Sequence, residues 1–134
     1  MVMSQNKQNQ KFTTHERLKL RRRIDLIFEK GTSLNEFPLQ VVYFVDDHAE
    51  RNDLQVGFSV SKKFFKTAVA RNRLKRLMRE AYRKNKQNLK NSMNEKDSAL
   101  YLMFIYKSKK QISYQEMTEK IFLLLQRLEK AVSK

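Results

Sequence analysis

The most legible pattern along the chain is the alternation of Leu54, Val56, Phe58 and Val60 with Gln55, Gly57, Ser59 and Ser61. It predicts a strand with one core-facing side and one small, polar side. That polar side is either solvated surface or the floor of a trough where a polymer approaches the backbone. Upstream, Pro38 precedes Leu39 to Val45, where Val41, Val42, Tyr43, Phe44 and Val45 are β-branched or aromatic. This run predicts a strand apolar on both faces, ended by the polar Asp46-Asp47-His48. A short extra strand is expected over Thr32 to Leu34. Before it, Leu20, Ile24, Ile27 and Phe28 recur at helical spacing, and Thr13 with Glu16 three residues later reads as a capping box. With Gly31 as a left-handed stop, a first helix is expected over about residues 14 to 30.

Downstream, Thr67 can cap a second helix running to about Lys90, with the apolar stripe Leu74, Leu77, Met78, Ala81 and Tyr82. Asn88 to Ser98 reads as a polar loop, and Ala99 to Tyr106 as a short, fully buried strand. Ser113 and Glu116 form a further capping box, opening a terminal helix whose Met117, Ile121, Leu124, Leu125 and Leu128 face the core. The order α, β or ββ, β, α, β, α describes an α+β fold without internal repeats. Residues 1 to 12 are expected to be a disordered polar tail and residues 13 to 132 a single domain, the default for 134 residues.

Charge changes the picture. The chain carries 29 Lys and Arg against 14 Asp and Glu, a net +15, and residues 62 to 90 hold 12 of those basic residues with the single acid Glu80. One segment therefore creates most of the field. On the helical wheel Asn72, Arg76 and Arg83 oppose the apolar stripe, flanked by Arg71, Lys75 and Arg79 on one side and by Arg73 and Lys84 on the other. Such a cationic face on a folded domain points to nucleic acid first and to an anionic membrane second. Arg forks match phosphate oxygens, Asn donates and accepts, and the start of a helix adds its own positive dipole end at Arg71-Asn72-Arg73.

The inventory for catalysis by the chain itself is thin. Zero cysteines exclude disulfides, thiolate metal sites and a cysteine nucleophile, while two histidines and two glycines leave no multi-histidine zinc site and no Gly-rich phosphate loop. His15 and His48 read as surface residues, and adjacent Asp46 and Asp47 diverge, so no metal site is expected. No run approaches a membrane span of about 18 uncharged apolar residues, and the N-terminal stretch lacks an apolar signal region. The expected location is the cytoplasm.

Gly57 to Lys63 (GFSVSKK), Ala68-Val69-Ala70, Arg71 to Arg76 (RNRLKR) and Arg79-Glu80-Ala81-Tyr82-Arg83 together resemble the signature of the bacterial ribonuclease P protein family. Arg17-Leu18, Ile27-Phe28 and Gly31-Thr32 resemble its first helix and that helix's end, so the likeness spans about residues 14 to 130. It implies an αβββαβα domain, a small, mostly antiparallel sheet with a left-handed crossover, similar to a domain of a small-subunit ribosomal protein. It also implies the protein subunit of an endoribonuclease that matures the 5′ end of tRNA, in which the RNA subunit carries the Mg²⁺-dependent chemistry and the protein holds no cofactor or metal.

The implied partners are the catalytic RNA, with one monomeric protein per RNA, and precursor tRNA; no membrane is involved. By position, Arg71, Asn72, Arg73, Lys75, Arg76 and Arg79, with Lys62 and Lys63, resemble the RNA-binding residues. Phe28, Ile24, Lys62 and Tyr43 (or its neighbour Val42) resemble a cleft for the single-stranded 5′ leader. Phe64-Phe65-Lys66 fills a connection where many members carry a glycine. Set beside this are another kind of RNA-binding module, ribosome-associated or specific for double-stranded RNA, using the same basic helix 68–90, and a DNA-binding protein reading with that helix. The absence of a preceding short helix and turn argues against the last.

Overall fold

A computed structural model describes residues 12, 16–49 and 53–132. In chain order its elements are α1 (Arg21–Lys30), β1 (Thr32–Glu36), β2 (Leu39–Asp46), β3 (Leu54–Val60), α2 (Ala68–Asn85), α3 (Gln87–Asn94), β4 (Ala99–Tyr106) and α4 (Tyr114–Val132). The four strands form one sheet in the order β1-β2-β4-β3. β1 pairs with β2 and β2 with β4 antiparallel, whereas β3 runs parallel to β4. A parallel pair cannot be joined by a tight turn, and the chain between β3 and β4 forms α2 and α3.

β4 sits inside the sheet and is buried along nearly its whole length, which is why its sequence is a continuous apolar run rather than an alternation. Its even-numbered residues, with Val41 of β2 and Val56 of β3, meet Leu74, Met78, Tyr82, Leu89 and Met93 and the apolar stripe of α4 in the larger core. Its odd-numbered Tyr101 and Met103, with Val42, meet Ile27 of α1 on the opposite face. α1 is therefore a lone helix over one side of the sheet, and α2, α3 and α4 cover the other.

The first helix starts later than the spacing implied. α1 begins at Arg21, and the chain before it is extended, with Arg17 bridged to Val56 and the Leu18 N–H donating to the Val56 carbonyl at 3.0 Å. Pairing with the free edge of β3 satisfies backbone groups that a longer helix would have satisfied internally. The Thr13 cap lies outside the described residues. Gly31 is not left-handed: its φ is −74°, and a Cβ there would lie 2.2 Å from the Ile27 carbonyl oxygen and 2.8 Å from Val42 Cγ1. Close approach to the sheet, not a special dihedral, demands glycine. Phe12, placed in the polar tail by the sequence pattern, is half-buried, its ring edge-on to Phe58 at 5.9 Å and to Tyr82 at 6.1 Å.

The second correction concerns residues 88–98. The expected loop contains α3, because Leu89 and Met93, four residues apart, are both 1% exposed in the larger core. Two well-placed apolar side chains hold a turn of helix that polar composition hides. The predicted long helix breaks at Lys86, whose ammonium is buried and pairs with Glu16 at 2.6 Å. β2, β3, β4, the capped start of α4 and the short strand β1 all stand where the pattern put them, β1 reaching two residues further.

Candidate nucleic-acid interface

α2 starts where Thr67 accepts a hydrogen bond from the Ala70 N–H at 3.2 Å. Its apolar stripe ties one side to the core, with Leu74, Met78, Ala81 and Tyr82 fully buried. Because 3.6 residues make a turn, Val69, Asn72, Arg73, Lys75, Arg76 and Arg79 are driven outward, and together they line one open concavity. Asn72, Arg73 and Arg76 are exposed and Lys75 is half-exposed, and none of their side chains meets an acid among the described residues. Four hydrogen-bonding side chains, three of them cationic, thus surround a hollow along the first half of the helix, an arrangement that suits phosphate.

Two other arginines of the segment have different surroundings. Arg71 is half-buried and donates to the carbonyls of Phe65 at 2.8 Å and Lys66 at 2.9 Å, fixing the connection into α2. Arg79 lies over the Phe58 ring at 5.8 Å, and its buried Nε has no acceptor among the described residues. The cation thus sits over an aromatic ring, a favourable placement, while the side chain also lines the concavity. Lys62 and Lys63 are exposed in the turn after β3, where Ser61 Oγ accepts from the Lys63 N–H.

The C-terminal half of α2 is electrically quieter. Arg83 pairs with Glu80 at 2.5 Å; this bond holds the Glu80 carboxyl below its ordinary pKa and raises that of Arg83. Lys86 is buried against Glu16, and burial lowers its pKa despite that partner. Tyr82, wholly buried with no partner for its hydroxyl among the described residues, has its pKa pushed well up by desolvation.

On the other face of the sheet, Ile24 packs beside Ile27, Val42, Tyr101 and Met103, while Phe28 is 57% exposed. Tyr43 does not join them. Its side chain packs against the larger core, and the register turns Val42 toward α1, the one-residue difference that reverses a side chain on a strand. The small side of β3 runs beside this cluster: Gln55 accepts a hydrogen bond from Arg23 at 2.6 Å, and Gly57 lies against Met103 and Leu18. Sequence reasoning missed the buried Lys86–Glu16 pair and the Arg71 clamp. The first joins residues 70 apart and left no local signal. Among the described residues no three His, Cys, Asp or Glu side chains converge as a metal site, and no helix is long and apolar enough to cross a membrane.

Comparison with known proteins bears on this arrangement. A family model described as Ribonuclease P matches residues 12–129. A ribonuclease P protein component of Alkaliphilus metalliredigens is 30% identical over 116 residues, 86% of this chain and 95% of the relative. One from Porphyromonas gingivalis is 40% identical over 90 residues, 67% of this chain and 66% of that relative, so the matched stretch spans just under two thirds of its length. Among solved structures, the RNase P protein of Thermotoga maritima superposes with a TM-score of 0.64 at 30% identity, covering 84% of this chain and 96% of the other.

Proposed function

The chain belongs to the ribonuclease P protein family, and from that premise we propose that it serves as the protein subunit of ribonuclease P in the cytoplasm, assisting removal of the 5′ leader from precursor tRNA. The observation that carries this reading is the concavity of α2, lined by Asn72, Arg73, Lys75, Arg76 and Arg79, where the first four stand without an acidic partner among the described residues. That surface engages the catalytic RNA, one protein per RNA. The RNA subunit supplies the Mg²⁺-dependent chemistry.

The cationic field contributes by offsetting the repulsion between two polyanions, catalytic RNA and substrate, that would otherwise be screened only by counterions. The face carrying α1 takes the unpaired leader. Phe28 offers an exposed ring for stacking, Ile24 and Val42 provide an apolar wall, and the small residues of β3 let a backbone approach. Lys62, in the turn after β3, is the cation this reading assigns to leader phosphate.

The reading is tested by reconstitution with the host's catalytic RNA and a precursor tRNA. The protein alone leaves the substrate intact, and added to the RNA it raises the cleavage rate, most at low Mg²⁺. Cleavage by RNA-free protein, or no stimulation of the RNA, would overturn it.

A further inference from the structure

The basic surface continues beyond α2. Because β3 and β4 are parallel, the turns that leave them, residues 61–67 and 107–113, emerge at the same end of the sheet. The first carries Lys62, Lys63 and Lys66, the second Lys107, Lys109 and Lys110, and neither contains an acidic residue. All six lysines are exposed. The turns are packed onto each other: the Phe65 ring meets Tyr106 edge-on at 5.9 Å, and the Tyr106 hydroxyl donates to the Lys110 carbonyl and accepts from the Ile112 N–H.

Each turn is also fixed from within. Ser108 Oγ accepts from the Lys110 N–H at 3.1 Å, as Ser61 Oγ does from Lys63, and Arg71 holds the carbonyls of Phe65 and Lys66. The tip of the β1–β2 hairpin completes the group. The Pro38 carbonyl accepts from the Lys107 N–H at 2.8 Å, and the adjoining Phe37 is 73% exposed with no ring partner among the described residues. Of the nearby acids, Glu36 is engaged by Arg127 at 3.0 Å, and Glu116 lies close enough to Tyr106 to affect its titration.

Two preordered turns that hold six like charges on one edge repel each other, and that repulsion is relieved when anionic charge lies along them. Charges spread over two turns match the repeating phosphates of a polymer better than one small anion. Lysines, as flexible point charges, follow a backbone without reading sequence. An exposed ring beside them adds a platform for an unstacked base, which a duplex does not present.

We propose that this end of the sheet is a third RNA-binding surface, separate from the α2 concavity and the α1 face, which holds an unpaired RNA strand with phosphates on Lys107, Lys109 and Lys110 and a base on Phe37. It rests on the reading of the chain as an RNA-binding subunit but not on the residues of the α2 concavity.

The test uses the full chain and a fluorescein-labelled single-stranded RNA of twelve mixed pyrimidines, read by anisotropy across salt concentrations, with the same strand in a duplex as comparison. Substituting Lys107→Ala, Lys109→Ala and Lys110→Ala together weakens single-strand binding by roughly tenfold. It also flattens the log–log salt slope by about 2, three contacts at ~0.7 each. Phe37→Ala weakens it by at least about fivefold. Duplex binding changes less in both.

Unchanged single-strand affinity in the triple variant would overturn the proposal. Equal loss on strand and duplex would do so too, since it would mean undirected attraction. A separate variant, Arg73→Ala with Arg76→Ala, isolates the other reading: if it binds the catalytic RNA like the unaltered protein, the α2 assignment fails while the oligonucleotide data still decide this one. Should a lysine variant lose its melting transition, crosslinking of the unaltered chain to a 4-thiouridine strand decides, with adducts at residues 37 and 107–110 expected and adducts confined to 68–85 contradicting.

Discussion

Asn72 to Arg76 and Glu80 to Lys86 carry similar densities of basic residues along one helix and the turn after it, yet their charges meet opposite fates. In the first stretch Arg73, Lys75 and Arg76 have no acidic partner among the described residues and surround a hollow. In the second, Arg83 is paired with Glu80, Lys84 lies over the Tyr114 ring at 5.7 Å, and Lys86 is buried against Glu16. A count of charges along the sequence treats them as one field. The fold divides them into a face that is available to a polyanion and a face that holds the molecule together.

The comparison breaks most easily at Lys86. Removing its ammonium takes the Lys86 cation from the buried Glu16 carboxylate, so Lys86→Ala should destabilise the protein, by up to about 3 to 5 kcal/mol. RNA affinity per folded molecule should stay unchanged. Urea unfolding beside RNA binding on the same preparation checks both; a loss typical of an exposed lysine, within about 0.5 kcal/mol, would erase the distinction between the two stretches.

A smaller effect is expected at Phe28, on the other side of the sheet. Its exposure removes the possibility that it is core, so Phe28→Ala should leave the melting temperature nearly unchanged. Binding of a substrate with a leader should weaken by about 1 to 3 kcal/mol relative to mature tRNA. Equal affinities of the variant and the unaltered protein for leader-bearing substrate would remove Phe28 from the cleft.

The smallest effect belongs to Tyr82. Its hydroxyl is buried without a partner among the described residues, so Tyr82→Phe should stabilise the fold by about 1 kcal/mol. Burial raises its pKa in the folded state above the ordinary 10.0, so above that pH the unfolded chain releases a proton the folded one retains. Its contribution is whole below pH 10.0 and is lost as pH rises beyond it. Tyr101 and Tyr106 shift in the same direction, and Lys86, lowered by burial, acts in the opposite sense. Chemical unfolding across alkaline pH should therefore show a decline that Tyr82→Phe flattens without abolishing; an unaltered decline would contradict the assignment.

How much of this was legible in the sequence depends on the range of the forces involved. β3 and α4 were readable because alternation and capping are local, and the basic face of α2 followed from helical geometry around a clear apolar stripe. The start of α1 was not, because it depends on the edge of β3, some forty residues away, accepting residues 17 and 18 as neighbours. Nor was α3, held by Leu89 and Met93 reaching a core built by other elements. In the candidate site, Asn72, Arg73 and Arg76 were found by pattern and family resemblance. The exchange of Tyr43 for Val42 beside α1 required the strand register, and the inward turn of Arg71 required the path of the Phe65–Lys66 connection.

The central claim is that the exposed cations of the first half of α2 bind RNA. It is tested most directly by the salt dependence of catalytic-RNA binding by the unaltered protein and by the Arg73→Ala, Arg76→Ala variant. Engagement of about 6 to 8 phosphates predicts a log–log slope of roughly −4 to −7 for the unaltered protein, and loss of two contacts makes the variant's slope shallower by about 1.5, with the same melting temperature. A slope near −1, or a variant whose slope and affinity match those of the unaltered protein, would mean that this face is solvated surface and not the RNA interface.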